Sequence, residues 1–363
     1  MAERKSESKR GDARSSRKGG TASIEQYPAA QRLPWHDDAV ERLRRAWSGG
    51  RLPHALLLQG ADGLGKRSLA AWLAGAVLCE ASSDAPLEGC GACASCALFK
   101  AGSHPDLVWI APEEGKQQIS IDQVRAAAER LAKTSYRRGY KVAVIEPAHQ
   151  MTPSAANSVL KTLEEPAAHT LLVLITSRPS ALLATVRSRC QKVTIARPST
   201  QQAAAWLQAR AGRPITPALL EFAGGAPLRA LEYADGRFDT LDRQMQGSLA
   251  ALLTGQSDVT QVAAEWAKDA LNERLIWLDL WLSSAARALL AGNADLITFP
   301  ARPAHLPSLP ATLNISSVYS LVDRLRALKA QLARTALQRE LAMESWLIAL
   351  LQALAPSRAS KRA

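Results

Sequence analysis

Two groups of residues in this 363-residue chain have the types and spacing to do chemistry on their own account. The first is Gly60-Ala-Asp-Gly63-Leu-Gly65-Lys66-Arg67. In a Gly-rich turn that opens a helix, backbone N–H groups can surround phosphate oxygens, and Lys66 can reach the outer phosphates. The residue after the lysine is normally Ser or Thr, whose hydroxyl binds Mg²⁺. Here it is Arg67, and Ser68 stands one position late, about 100° round the helix. A phosphate-loop ATPase also needs an Asp at the end of a following strand, commonly with a Glu beside it to orient water. The stretch Lys141-Val-Ala-Val-Ile-Glu146-Pro147 puts Glu in the Asp place and Pro in the Glu place. Proline cannot activate water. These residues describe a nucleotide fold without hydrolysis, and passive ATP binding stays open because Lys66 and the glycines remain.

The second group is Cys90-x2-Cys93-x2-Cys96 with Cys79 upstream. Four thiolates suit a tetrahedral Zn²⁺ with Zn–S bonds of about 2.3 Å, and they leave no open position, so the site is expected to be structural. An iron–sulfur cluster also accepts four cysteines, but its usual run ends in a later Cys followed by Pro, which is missing after Cys96. Cys190 is remote from this set and reads as a small packed thiol.

These residues need a scaffold. Ala55–Gln59 is a short apolar run ending in the glycine turn, the pattern of a buried parallel strand. A helix is expected from Lys66 to about Leu78, with a Gly/Cys-rich loop from there to a strand at Asp106–Ile110. The alternation continues with a helix over Asp122–Lys133, a strand over Lys141–Glu146 and a helix over Thr152–Glu165. Thr152 is the expected N-cap, Pro153 the first helical residue and Pro166 the stop. Strands follow at Leu171–Thr176 and Gln191–Ile195. Upstream, His36-Asp37-Asp38-Ala39 opens a helical pattern with Val40, Leu43 and Trp47 on one face. Five strands separated by helices predict a parallel sheet covered on both faces. Beyond it lie three short helical patterns (200–211, 216–223, 227–235) and longer ones from 238 to 355, broken by the Pro-rich stretch Phe299–Pro310.

Charge adds less than it first suggests. The net charge is +12, yet residues 1–20 carry +4 and residues 356–363 carry +3, which leaves +5 on the rest. Segment 125–141 alone holds +5, from Arg125, Arg130, Lys133, Arg137, Arg138 and Lys141 against Glu129. Such a segment could line a DNA channel through phosphate contacts, serve as a solvated helix face, or meet another subunit. The composition, 47% apolar and 21% charged, is that of a globular chain and excludes a fibrous one. The first twenty residues lack the apolar core of a secretory signal, and no apolar run approaches the roughly 18–20 residues of a membrane span. The expected compartment is the cytoplasm, where thiols stay reduced and a cysteine cluster favours metal over disulfides.

Three motifs together carry a resemblance: the loop Gly60–Lys66, the run Asn157-Ser-Val-Leu-Lys161-Thr-Leu-Glu-Glu165-Pro166, and the triplet Ser188-Arg189-Cys190. Over residues 35–235 the chain resembles the bacterial DNA polymerase III clamp-loader subunits. The cysteine cluster marks the subset with a zinc module, and the altered metal and base positions point to the delta-prime type. The resemblance implies an α/β AAA+ module (a parallel sheet with helices on both faces and a zinc-module insertion), followed by a small helical lid domain and an all-α collar domain. The implied division is a disordered basic tail at 1–24, the AAA+ domain at 25–197 with the zinc module at 79–104, the lid at 198–237, the collar at 238–355 and a basic tail at 356–363. It further implies a hetero-pentameric ring of clamp-loader subunits that opens the sliding clamp and places it on primed DNA during replication. In such a ring Arg189 would act in trans as an arginine finger on a neighbour's ATP site. Read from the residues alone, Arg187 and Arg189 could equally solvate a loop end. Thr176 matches the family's first sensor position and Arg229 lies near its second.

The implied role is a non-hydrolysing subunit, without catalysis alone, within a DNA-directed DNA polymerase (nucleotidyltransferase) holoenzyme. An active ATPase subunit of the gamma/tau type, using a displaced ligand such as Ser68 or His149, and a stand-alone DNA-binding module are the competing readings.

Overall fold

The computed structural model describes residues 28–81, 87–137, 139–292, 299, 315–332 and 338–354. The two basic tails, Arg138 and nearly all of the Pro-rich break lie outside them. The chain forms two compact units. One contains Arg42–Leu57 and Arg67–Lys192, and the other Leu33–Glu41, Leu58–Lys66 and the chain from Val193 onward.

Five strands are present among the described residues: β1 (Ala55–Gln59), β2 (Leu107–Ile110), β3 (Lys141–Ile145), β4 (Thr170–Thr176) and β5 (Gln191–Thr194), in the order β2-β3-β4-β1-β5. All five expected strands are there, with ends shifted by at most one residue. β2 and β3 run parallel with Leu107 opposite Val142, and β3 and β4 parallel with Lys141 opposite Thr170. Every residue of β3 and β4 is buried. That is why these segments read as continuous apolar runs, since a parallel strand is covered on both faces and has no solvent side to mark.

In the first unit, α4 (Ile121–Ala132) and α5 (Pro153–Glu164) follow β2 and β3. Ser120 caps α4 reciprocally: its hydroxyl accepts from Gln123 N, and the Gln123 side chain accepts from Ser120 N at 3.0 Å. Thr152 caps α5 as expected, accepting from Ala155 N at 3.2 Å with Pro153 at the first helical position. Val159, Leu163, Leu172, Leu174 and Val186 share one buried apolar cluster, which fixes α5 and the short helix α6 (Ala184–Arg189) on the sheet.

One expectation needs correction. The Gly/Cys-rich stretch is not wholly loop, because Ala94–Lys100 is helical (α3, after α1, Asp37–Ser48, and α2, Lys66–Leu78). The Cys93 side chain caps it by accepting from Cys96 N, so the two-residue spacing that suits a metal also starts a helix.

The second unit is helical beyond β5: α7 (Thr200–Ala211), α8 (Pro217–Phe222), α9 (Pro227–Glu232), α10 (Arg237–Leu253), α11 (Val259–Lys268), α12 (Leu271–Ala291), α13 (Ile315–Leu332) and α14 (Arg339–Leu354). These helices share one core built on Phe222, Phe238, Trp266, Trp277 and Leu347. Two of its buried polar groups are partnered, Trp277 Nε1 donating to Asp242 at 2.6 Å and the buried Arg274 to Asp269 O at 3.1 Å, whereas Trp266 Nε1 is buried without a hydrogen-bond partner. No described helix is long and apolar enough to cross a membrane.

Candidate functional site

The phosphate-type loop sits between β1 and α2 and is held from outside. Gly63 and Gly65 have φ of +76° and +77°, the left-handed region that favours glycine. A Cβ on Gly63 would lie 2.6 Å from Arg229 Cβ, and one on Gly65 would collide with Leu33 Cδ1. Close approach and backbone conformation therefore both demand glycine. Leu228 N donates to Gly63 O at 3.2 Å, which seats the start of α9 against the loop and puts Arg229 beside it. At the next residue, Trp35 Nε1 and His36 Nε2 both reach Leu64 O, at 2.9 and 2.8 Å. Lys66 is buried, and its ammonium donates to the loop's own carbonyls, Gly60 O at 2.9 Å and Ala61 O at 2.6 Å.

Trp35 and His36 are the loop contacts the sequence does not reveal. His36 reads there as the start of a helix, but it ends a buried 3₁₀ turn, Pro34–His36, just before α1. An aromatic–imidazole pair ahead of the first helix is the signal that was available. Nothing in it points to a loop 28 residues on.

Arg67 and Glu146, the two residues at the metal positions expected from the sequence, meet. Arg67 Nε lies 2.8 Å from Glu146 Oε2, and Trp109 Nε1 donates to the same oxygen at 3.3 Å. The Glu146 carboxylate is thus engaged by the Arg67 guanidinium, which carries its positive charge in the first turn of α2. Thr176, at the end of β4, is fully buried. Its hydroxyl lies 3.1 Å from His149 Nδ1 and accepts from Arg178 N at 3.1 Å.

The four cysteines converge. Their sulfur atoms all lie within 4.8 Å of one another, with Cys79–Cys93 and Cys90–Cys96 each at 3.9 Å. A tetrahedron with bonds of about 2.3 Å has an edge of roughly 3.8 Å, so the spacing fits a single Zn²⁺. A multi-iron cluster spreads its thiolates over separate metals and fits this tight set less well. Backbone N–H groups support the sulfurs: Cys90 N donates to Cys79 Sγ at 3.3 Å, and Cys93 N to Cys90 Sγ at 3.4 Å. The N–H groups of Ala92 and Cys93 pull the exposed Cys90 thiol down to about 6. Cys190 is separate and buried, and burial pushes its thiol up to about 11, so it is an inert packed residue.

Behind the cluster, Ser95 of α3 is fully buried against His104, with Oγ 2.8 Å from Nε2, while His104 Nδ1 accepts from Asp106 N at 3.1 Å. His36 is arranged alike, with Nδ1 accepting from Leu33 N at 3.3 Å and Nε2 on Leu64 O. Both rings are thus neutral with the proton on Nε2, and burial lowers both pKa values. The unfolded chain therefore binds more protons than the folded one just below about pH 6.5. Stability from these rings is complete above that pH and is lost as pH falls. Thermal unfolding midpoints are expected to be flat from pH 7 to 8 and to drop from pH 6.5 to 5, with a shallower drop in H104Q.

Arg189 ends α6 with its side chain 40% exposed. Its Nη2 lies 2.7 Å from Glu164 Oε1, and its Nη1 donates to Thr185 O at 3.2 Å. Arg187 instead donates to Pro179 O at 3.2 Å.

Three of the six cations of the basic segment serve the fold. Lys141 is buried with its ammonium on Leu131 O and Lys133 O, at the C-terminal end of α4. Arg130 donates to Pro105 O at 3.0 Å, and Arg137 pairs with Glu80 at 3.6 Å. Asp106 accepts from Tyr136 N and Arg137 N, pinning the connection between α4 and β3.

Comparison with known proteins agrees with these features. The family described as DNA polymerase III, delta subunit, matches residues 35–199, and the family described as its C-terminal part matches residues 243–352. The chain is 35% identical over 269 residues to the DNA polymerase III subunit delta' of Pseudomonas aeruginosa, covering 72% of this chain and 79% of that one. Against the Escherichia coli subunit delta' the identity is 32% over 330 residues, covering 89% and 96%. A DNA polymerase III subunit tau from Salmonella typhimurium is 29% identical over 310 residues, 82% of this chain and 46% of tau. A glycine loop locked by its neighbours, a four-cysteine centre and this coverage by full-length relatives lead to one conclusion: the chain belongs to the delta-prime subunit family of DNA polymerase III.

Proposed function

We propose that the chain is a non-hydrolysing subunit of the polymerase's clamp loader, and that it lends Arg189 to the ATP site of a neighbouring subunit. The observation that carries the first half is the Arg67–Glu146 ion pair. Hydrolysis at a phosphate loop needs a metal held by a hydroxyl and a carboxylate, and a water set by a base. Here arginine replaces the hydroxyl, the carboxylate is engaged by that arginine, and Pro147 stands where the base would be. Lys66, turned onto Gly60 O and Ala61 O, is also committed within its own loop.

Arg189 supports the second half. Its guanidinium sits at a helix end, half-exposed, with both terminal nitrogens on acceptors of its own chain. A planar guanidinium fits phosphate bidentately and can stabilise the charge that spreads over a transferring phosphoryl group. The remaining partners in this reading are the other subunits of a hetero-pentameric ring, the sliding clamp and primed DNA. The cysteine set holds a structural Zn²⁺, through Cys79, Cys90, Cys93 and Cys96, in the reducing cytoplasm. The helices after β5 divide into a lid (198–237) and a collar (238–355).

The likeness to a tau subunit favours an active ATPase as the second reading, and one measurement separates the two. The purified chain is expected to turn over no ATP above background with or without Mg²⁺. Addition to its ATPase partner subunits should raise theirs. Robust Mg²⁺-dependent turnover by the chain alone would overturn the proposal.

A further inference from the structure

We infer that Glu164 is the positioning residue for Arg189, an inference that rests on the arginine-finger reading above. Glu164 is the last residue of α5, and its side chain is 50% exposed. It meets the guanidinium through Oε1 on Nη2 at 2.7 Å, while Thr185 O, one turn back in the arginine's own helix, takes Nη1 at 3.2 Å. Two acceptors from two helices thus fix the plane of the guanidinium. Arginine carries five N–H donors, so at least three point elsewhere and remain available to a phosphate. The platform beneath is rigid: Val159 and Leu163 of α5 and Val186 of α6 lie in one buried cluster, and Cys190 follows α6 into it.

The physical need is entropic. A free arginine side chain samples many rotamers, and freezing them on docking weakens the interaction it makes. Glu164 removes that cost before the neighbour arrives. Exposed ion pairs of this kind contribute little to stability, so this one is better explained by where it holds the arginine than by what it adds to the fold.

The test uses the full chain assembled with its partner subunits, measuring steady-state ATP turnover for wild type, E164A, E164Q, R189A and E164A/R189A. E164A is expected to lower kcat at the site Arg189 serves about 3- to 10-fold, read as the part of the turnover that R189A removes, with KM for ATP little changed. E164Q, whose amide oxygen still accepts from Nη2, should recover part of the loss, and the double variant should be no slower than R189A. Assembly by size exclusion should be the same in all five. Wild-type rates in E164A alongside a slow R189A overturn the positioning role alone, as does a double variant in which the two losses multiply. Wild-type rates in R189A overturn the finger reading, and the positioning role with it.

Discussion

Replacing Cys93 by serine is expected to eliminate stoichiometric zinc and to lower the unfolding midpoint of the first unit by on the order of 10 °C. Serine is the informative choice because Cys93 does two things. Its sulfur belongs to the four-atom cluster, and it also caps α3 by accepting from Cys96 N. Serine is among the best N-cap residues, so C93S keeps the cap and removes the thiolate. Any loss then belongs to the metal. Structural Zn²⁺ in small modules is worth about 10–16 kcal/mol in apparent binding energy, less whatever the unfolded thiols retain. Each kcal/mol shifts the midpoint by roughly 2–4 °C in a domain of 150–250 residues, so even a modest remainder is large. Elemental analysis should give about one Zn²⁺ per wild-type chain and none in C93S. Hydrogen exchange should speed up over α3 and spread towards β2 through the Ser95–His104 contact. Wild-type protein that is zinc-free under gentle purification, or C93S that melts like wild type, would refute the structural metal.

The second large effect is on catalysis in the assembled complex. R189A is expected to lower ATP turnover at the site it serves by about 10³–10⁵-fold, the usual contribution of an arginine finger. The overall rate should fall to whatever the ring's other ATP sites sustain. Folding should be untouched, because the residues lost are one exposed ion pair and a bond to a helix carbonyl. R189K should rescue poorly, since an ammonium on a flexible stem cannot match the planar, bidentate fit. R187A is the matched control: Arg187 lies on the same short helix but donates to Pro179 O. Equal losses in R187A and R189A, or none in R189A, would count against the assignment.

The sheet was legible because its signals are local. Ala55–Gln59 is apolar throughout and ends at a glycine turn, and both bounds hold in the structure. Thr152-Pro153 and Pro166 bracket α5 by cap and stop chemistry, again within one residue. Helix α3 was not legible, because seven residues with Cys96 among them are too short to show a periodicity and the helix depends on a sulfur cap. The cysteine centre could be read as a set from spacing, whereas the support from Ser95 and His104 is purely tertiary. Arg67 and Glu146 each stand out in the sequence as departures, but their meeting at 2.8 Å is a property of the fold. The charge of segment 125–141 could be counted, yet only the fold reveals that Lys141 is buried and caps α4.

The Arg67–Glu146 pair also bears on mutational history. A route back to a metal-binding loop must change both residues, and each single step is penalised. Arg67→Thr alone strips a carboxylate that is only 18% exposed of its counter-charge. Glu146→Asp alone shortens the reach to the guanidinium by one methylene. Each single replacement is thus expected to weaken the ion pair without completing a metal site. On the non-hydrolysing reading proposed above, a chain in the arginine–glutamate state is held there by its own ion pair, and a metal-binding loop is hard to regain one substitution at a time.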